Sequence, residues 1–166
     1  MNTTSPLATG PFSAVVMNHF LHPRGVATLP NPDGEGWAGN TEAHRYMRIQ
    51  VNLQDGVITN TAFGTYGCAP AIAAGSFVCE WALGKTVAEA QALTSEELTT
   101  MLGGLPQARR FCADLAVDAL HAALLAAKPT ASRSAAKPTA SRFADKPTLS
   151  DRAAQPGPGR DPSDTG

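Results

Sequence analysis

From Tyr46 to Leu53 apolar and polar residues alternate, with Met47, Ile49, Val51 and Leu53 set against Tyr46, Arg48, Gln50 and Asn52. Successive side chains of a strand point to opposite faces, so this stretch predicts a half-buried strand. Gln54-Asp55-Gly56 predicts a hairpin turn, since Asp-Gly readily takes the positive φ angles of a tight turn. Val57 to Tyr66, carrying Ile58, Thr59, Thr61, Phe63 and Thr65, is then the returning strand. Upstream, Phe12, Val15, Val16, His19 and Phe20 fall at helical spacing and predict a short amphipathic helix that Pro23 stops. The Pro- and Gly-rich stretch from Pro23 to Gly39 predicts a loop or irregular strand. Everything after the hairpin has a helical period. Pro70 suits the first turn of a helix running to Leu83 and closed by Gly84. Thr86-Val-Ala-Glu89 and Thr94-Ser-Glu-Glu97 are capping boxes, each opening a short helix. Pro106 predicts the start of a last helix with Ala108, Phe111, Cys112, Leu115, Ala119, Ala123 and Leu124 along its apolar stripe. One helix, a small antiparallel sheet and a helical half predict an α+β domain with helices covering one sheet face.

The pattern fades at Lys128. A nine-residue unit, Ala127-Lys-Pro-Thr-Ala-Ser-Arg-Ser-Ala, recurs from Ala136 and, degraded, from Asp145, before a Pro/Gly-rich end. Such a segment is nearly devoid of the large apolar side chains that offset the entropy of ordering. The expected organisation is a flexible N-terminus over 1–11, a folded domain over 12–127 and a disordered tail over 128–166. Lys-Pro-Thr-x-Ser also has the form of a binding or phosphorylation motif, but a solvated repeat accounts for it more simply.

Composition narrows the function classes. A formal charge of −1 argues against a nucleic-acid binder. No apolar run approaches the roughly 20 residues that span a bilayer, which argues against a membrane protein. Met1 to Pro11 has neither a basic patch nor an apolar core, so it does not read as a signal peptide, and a cytoplasmic, reducing location is expected. Three cysteines suit free thiols or metal ligands better than a disulfide framework.

Two of those cysteines sit where chemistry is plausible. Cys68 falls after the second strand and just before a helix, where the partial positive charge of the helix N-terminus favours thiolate, the form that binds metal or attacks sulfur. The alternative is a small residue packed at a turn. Cys112 lies early in the last helix on its apolar stripe, and two readings, buried core or ligand, stay open. Cys79 is eleven residues past Cys68 on the same helix, about 16 Å away at 1.5 Å per residue, and is expected in the core. His19, His22 and His121 are expected to be packing or surface residues. There is no CxxC pair, Walker loop or GxSxG motif.

Taken in order, the segments resemble the NifU/IscU-type iron–sulfur scaffolds. Met17-Asn-His-Phe-Leu-His-Pro-Arg-Gly-Val is similar to their N-terminal helix and the segment after it. Asn31-Pro-Asp-Gly-Glu-Gly-Trp-Ala-Gly-Asn is similar to the glycine-rich approach to their first cysteine. Phe63-Gly-Thr-Tyr-Gly-Cys-Ala-Pro-Ala-Ile-Ala-Ala-Gly-Ser resembles their second-cysteine motif. Glu80-Trp-Ala-Leu-Gly-Lys-Thr-Val-Ala-Glu-Ala, Leu102-Gly-Gly-Leu-Pro and Cys112-Ala-Asp-Leu-Ala-Val-Asp-Ala-Leu complete a match from about Phe12 to Ala127. The resemblance implies a small antiparallel three-stranded sheet with helices packed on one face. It also implies a non-enzymatic scaffold on which three cysteines, with an aspartate and a histidine, build a [2Fe-2S] cluster from the sulfur of a cysteine desulfurase. Thiolates suit that cargo because soft sulfur ligands suit iron–sulfur clusters.

Transferred residue by residue, the ligand set is incomplete. The family's first cysteine falls on Ala43, the glycine after it on His44 and its aspartate on Arg45. The second cysteine is Cys68. The histidine–cysteine pair of the last helix becomes Phe111-Cys112, and a chaperone-recognition segment survives in part as Leu105-Pro-Gln-Ala-Arg109. Cys68 and Cys112 are therefore the expected cofactor-binding thiols, with His44, Glu42, a second protomer in a homodimer or a small thiol supplying what is missing. Arg45 sets a permanent cation where the resemblance implies an anion, either offsetting lost ligand charge or repelling Fe²⁺. Expected cargo is iron or a labile [2Fe-2S] cluster, and expected partners are a cysteine desulfurase, apo-protein acceptors and a chaperone. Two alternatives remain: a degenerate paralogue that docks or regulates a partner without a cluster, and a zinc-binding structural domain using Cys68, Cys112 and His44.

Overall fold

The structure is a computed structural model and describes residues 10–128. The expected flexible N-terminus lies almost wholly outside the described residues, and the expected disordered tail lies outside them from Pro129 onward. The described chain reaches one residue past the expected end of the domain, where the Lys128 N–H donates to the Asp33 carbonyl at 3.1 Å.

The hairpin is as the alternation predicts. β2 (Arg45–Gln54) and β3 (Val57–Tyr66) pair antiparallel, with Gln54 opposite Val57, so Asp55 and Gly56 alone form the turn. Both have positive φ, 52° and 76°, as a two-residue turn matching the strand twist requires. Met47, Ile49 and Val51 are fully buried. Leu53 is only half-buried, because the register shifts between Asn52 and Leu53.

Of the two readings of the upstream stretch, loop or irregular strand, the strand holds for β1 (Gly34–Asn40). It pairs along its whole length with β2, Gly34 opposite Val51 and Asn40 opposite Arg45, giving the sheet order β1-β2-β3. Glycine is a poor strand former, yet here its missing side chain is what the packing uses. A Cβ at Gly36 would lie 2.1 Å from the Ala123 nitrogen, and one at Gly34 would lie 2.1 Å from the Ala123 carbonyl oxygen. Only backbone bare on that face lets the last helix lie directly on the strand.

The helices begin and end close to expectation. α1 (Ala14–Leu21) is capped by Ser13, whose oxygen accepts from the Val16 N–H and whose hydroxyl donates to the Leu102 carbonyl. α2 (Ala69–Ala82) starts beside Pro70, with Cys68 as its N-cap residue. Both capping boxes form, Thr86 with Glu89 opening α3 (Val87–Gln91) and Thr94 with Glu97 opening α4 (Ser95–Met101). The last helix differs: Pro106 precedes a separate 3₁₀ turn (Gln107–Arg109), and α5 (Phe111–Ala126) begins only after it. Ala108 is therefore exposed rather than on the apolar stripe. α5 packs on β1 and β2, α2 on β3 and α5, and α1 on α2. This is the α+β arrangement of a three-stranded antiparallel sheet with helices on one face. Among the described residues no helix is long and apolar enough to cross a membrane.

Candidate functional site

β3 ends at Tyr66 and α2 starts at Ala69, so Gly67 and Cys68 form the whole connection between sheet and helix. Cys68 has extended backbone (φ −80°, ψ 171°) and makes no side-chain capping bond, which leaves its thiol free to turn toward α5. Cys112 is in the first turn of α5. Their sulfurs are 3.6 Å apart. Two thiolates bound to one tetrahedral metal at about 2.3 Å stand about 3.8 Å apart by the same geometry, so the pair already has the spacing of two ligands on one ion.

The two thiols differ in access. Cys68 is half-buried, whereas Cys112 is fully buried. Burial pushes the Cys112 thiol up to about 12, the adjacent Cys68 adds to the rise, and Arg109 and Arg45 pull the other way. Of the two readings of Cys112, the core position is the one seen, and from it the sulfur also faces Cys68. Cys79 lies apart, sealed in the core, with burial pushing its thiol up to about 12.

Cys68 opens on a cleft of about 230 Å³ that also has His44, Arg45, Tyr66, Arg109 and Phe111 in its walls, and Cys112 lies behind it. The β1–β2 loop supplies the first of these. Asn40 Oδ1 accepts from the backbone N–H groups of Glu42 and Ala43, tightening the loop, and His44 takes a left-handed φ of 51°. That conformation costs a residue with a Cβ roughly 1–2 kcal/mol and costs glycine nothing comparable. The His44 ring rests against Tyr66, centroids 5.4 Å apart. Arg45 extends over the Phe111 ring, its guanidinium carbon 5.5 Å from the centroid. Two positions that the resemblance assigns to ligands thus hold a cation–π pair instead.

Ala43 is exposed in the loop and brings no donor. His44 shares the cleft with Cys68, but no group of three or more His, Cys, Asp or Glu side chains suited to hold a metal occurs among the described residues. Among the described residues two thiols flanked by arginines meet here, without the further donors that a closed tetrahedral zinc site needs.

Sequence reasoning missed a second polar cluster, on the far side of α2. His19 is 6% exposed and its Nδ1 accepts from the Ser76 hydroxyl at 2.8 Å. The Arg24 backbone N–H donates to Ser76 Oγ at 2.8 Å, and Glu80 approaches His19 Nε2 at 3.6 Å and Arg24 Nη1 at 3.4 Å. Burial lowers the pKa of His19 and Arg24 lowers it further, against an opposing pull from Glu80. The expectation of a packing role for His19 fits; Arg24 is five residues on, but Ser76 is 57 residues away in sequence and carries no local signal. His22 is exposed, and His121 is half-buried with its Nε2 lacking a hydrogen-bond partner.

Known proteins resemble this chain in sequence and in fold. The family model described as the NifU-like N-terminal domain matches residues 11–132. The iron-sulfur cluster assembly scaffold protein IscU 1 of Archaeoglobus fulgidus is 40% identical over 114 residues, 69% of this chain and 74% of that protein. The corresponding IscU of Escherichia coli K12 is 38% identical over 117 residues, 68% of this chain and 91% of its own length. A solved nitrogen-fixing NifU-like protein (N-terminal) from Brucella abortus superposes with a TM-score of 0.56 over 69% of this chain and 92% of that one, at 19% identity, a likeness of fold.

Proposed function

The chain belongs to the family of NifU-like N-terminal domains, and from that premise we propose that it is an iron–sulfur cluster assembly scaffold or carrier that holds iron or a [2Fe-2S] cluster transiently through Cys68 and Cys112. The observation that carries this reading is the 3.6 Å approach of the two sulfurs, of which that of Cys68 lines an open cleft. Cluster and iron are cargo here. The protein's part is to present deprotonated thiols and then let the load go.

Two thiolates are half of what a four-coordinate iron pair takes from protein in most clusters. The other sulfurs then come from outside the pair, from the cleft of a second copy or from a small thiol, and each missing bond makes the load easier to pass on. The exposed loop carrying Ala43, His44 and Arg45 is open to such a second donor. A cysteine desulfurase as sulfur source, apo-proteins as acceptors and a cytoplasmic location follow from the scaffold role. Binding and transfer, rather than turnover, is the proposed activity.

Anaerobic reconstitution of the full chain with iron, sulfide and thiol tests this. Bound iron with visible sulfur-to-iron absorption is expected in the wild type, and its loss in Cys68→Ser and Cys112→Ser. The triple variant Ala43→Cys, Arg45→Asp, Phe111→His should retain more iron than the wild type after desalting. No retained iron in either protein would sink the cluster-carrying reading and leave a domain that docks partners without cargo.

A further inference from the structure

Nothing in the thiol pair's geometry is particular to a metal. Cys68 and Cys112 sulfurs stand 3.6 Å apart, and the charged groups around the opening above them are cationic, Arg45 and Arg109, with no carboxylate in its walls. From these contacts we propose that Cys68 and Cys112 are a dithiol couple that reduces small anionic disulfides and closes into an internal disulfide as it does so.

Closing the bond needs an approach of only about 1.5 Å, from the observed separation to a disulfide length of about 2.05 Å. Cys68 lies on a two-residue connection with Gly67 before it, outside the regular helix, so it has freedom to make that move. Exposure fixes the order of events. Cys68 meets solvent; Cys112 is fully buried and is reached only through Cys68. The remaining thiol, Cys79, is buried elsewhere and cannot compete.

In the first step the Cys68 thiolate attacks one sulfur of the substrate R–S–S–R. The Cys68–S bond forms while the substrate S–S bond breaks, and RS⁻ leaves with the bonding electrons. The Cys112 sulfur then attacks that of Cys68, its proton passing to the departing substrate sulfur. The Cys68–Cys112 bond forms, the mixed disulfide breaks, and the second product leaves as RSH. The first RS⁻ takes up from water the proton that Cys68 had released, so the protein loses two electrons and two protons and the substrate gains them.

The cleft selects the substrate. At about 230 Å³ it takes part of a small molecule rather than a folded partner. Two arginines favour a carboxylate-bearing disulfide and disfavour a cationic one. The couple does not depend on cluster carriage, since either property can be present without the other. On the scaffold reading it adds a control, because the disulfide form has no thiolate to offer iron.

The test mixes reduced, desalted full-length chain with glutathione disulfide and, separately, with the cationic disulfide cystamine, followed by acid quench, alkylation and peptide mass mapping. The wild type is expected to finish as a Cys68–Cys112 disulfide with Cys79 unmodified. Cys112→Ser should stop at a glutathione adduct on Cys68, and Cys112→Ala, which leaves no unpaired hydroxyl in the core, gives the same readout if the serine variant does not fold. Cys68→Ser should react at least roughly tenfold more slowly, since the buried thiol is then the only nucleophile at the site. In Arg45→Gln/Arg109→Gln the preference for glutathione disulfide over cystamine should fall by roughly tenfold. A wild type that stays reduced, or that stops at the mixed disulfide, overturns the couple. An unchanged preference in the arginine variant overturns the anionic substrate. Iron retention measured on the same samples separates failure here from failure of the scaffold reading.

Discussion

Midway along α2, Ser76 is fully buried and its hydroxyl is used twice, donating to His19 and accepting from the Arg24 backbone. Eight residues earlier, at the N-cap of the same helix, Cys68 makes no capping bond and shares its only polar side-chain contact with another thiol. One region pairs its polar atoms and thereby holds α1 against α2. The other leaves a weak donor beside a second one, under two cations. Buried polar groups left short of partners cost stability, so such a site persists only where the rest of the fold carries it. The contrast separates what builds this domain from what it was built to hold.

The largest effect expected is one that removes both regions together. Gly36→Val puts a Cβ about where the Ala123 backbone nitrogen already lies, 2.1 Å away, so β1 and α5 must part. Strand propensity favours valine by at most about 1 kcal/mol. Overpacking against immovable backbone should exceed that, giving a net loss of about 3 kcal/mol or more in urea denaturation. A neutral or stabilising result would mean the seam between sheet and helix is looser than its geometry.

Ser76→Ala strikes the paired region alone. Removing the hydroxyl takes the donor from His19 Nδ1 and the acceptor from the Arg24 N–H, worth about 1–3 kcal/mol for a group left unpaired. About 2 kcal/mol is expected, because the Arg24 guanidinium, 3.1 Å from His19 Nδ1, offers a partial replacement. Thiol alkylation at Cys68 should keep its wild-type rate. If it changes severalfold, the two regions are coupled and the contrast fails.

How far the sequence revealed this division depends on which contacts are local. The β2–β3 hairpin and both capping boxes are written within spans of a few residues, and their boundaries follow from alternation, Asp-Gly and Thr-x-x-Glu. β1 is not legible that way. Its Gly-Glu-Gly-Trp-Ala-Gly-Asn reads equally as loop or irregular strand, and what decides for the strand is Ala123, almost ninety residues on. Pro106 predicts an earlier start for α5 than Phe111, because it suits a 3₁₀ turn as well as a helix. At the site, Cys68 was marked by its place before a helix. Cys112 alone was ambiguous, because a core position and a position facing Cys68 are the same face of α5. That Arg45 stacks on Phe111, joining two departures from the family's ligand set, could only come from the fold.

Acidification discriminates more finely between the regions. His19 has its pKa lowered by burial and by Arg24, so its neutral form is the one the folded state favours. The unfolded chain then binds more protons once the pH drops below the ordinary histidine value of about 6.5, and stability present above that value is lost as pH falls toward the folded-state pKa. One proton limits the slope to about 1.4 kcal/mol per pH unit. Wild type should lose more stability than His19→Gln between about pH 7 and pH 5.5. Parallel profiles would mean Glu80 compensates fully and the cluster is indifferent to charge.

The smallest effect on stability has the sharpest sign. Cys68 occupies an N-cap, where serine is among the best residues because its oxygen accepts from the backbone N–H groups of the first turn, and cysteine here makes no such bond. Cys68→Ser should therefore stabilise the domain, by about 0.5 kcal/mol, the capping gain set against the lost contact with the Cys112 sulfur. Equilibrium urea denaturation against wild type, both fully reduced, reads it out. A chain shaped only for stability would hold serine at this position. If the variant instead proves clearly less stable, Cys68 is a structural residue whose sulfur packs the end of α2, and the division between framework and site is drawn in the wrong place.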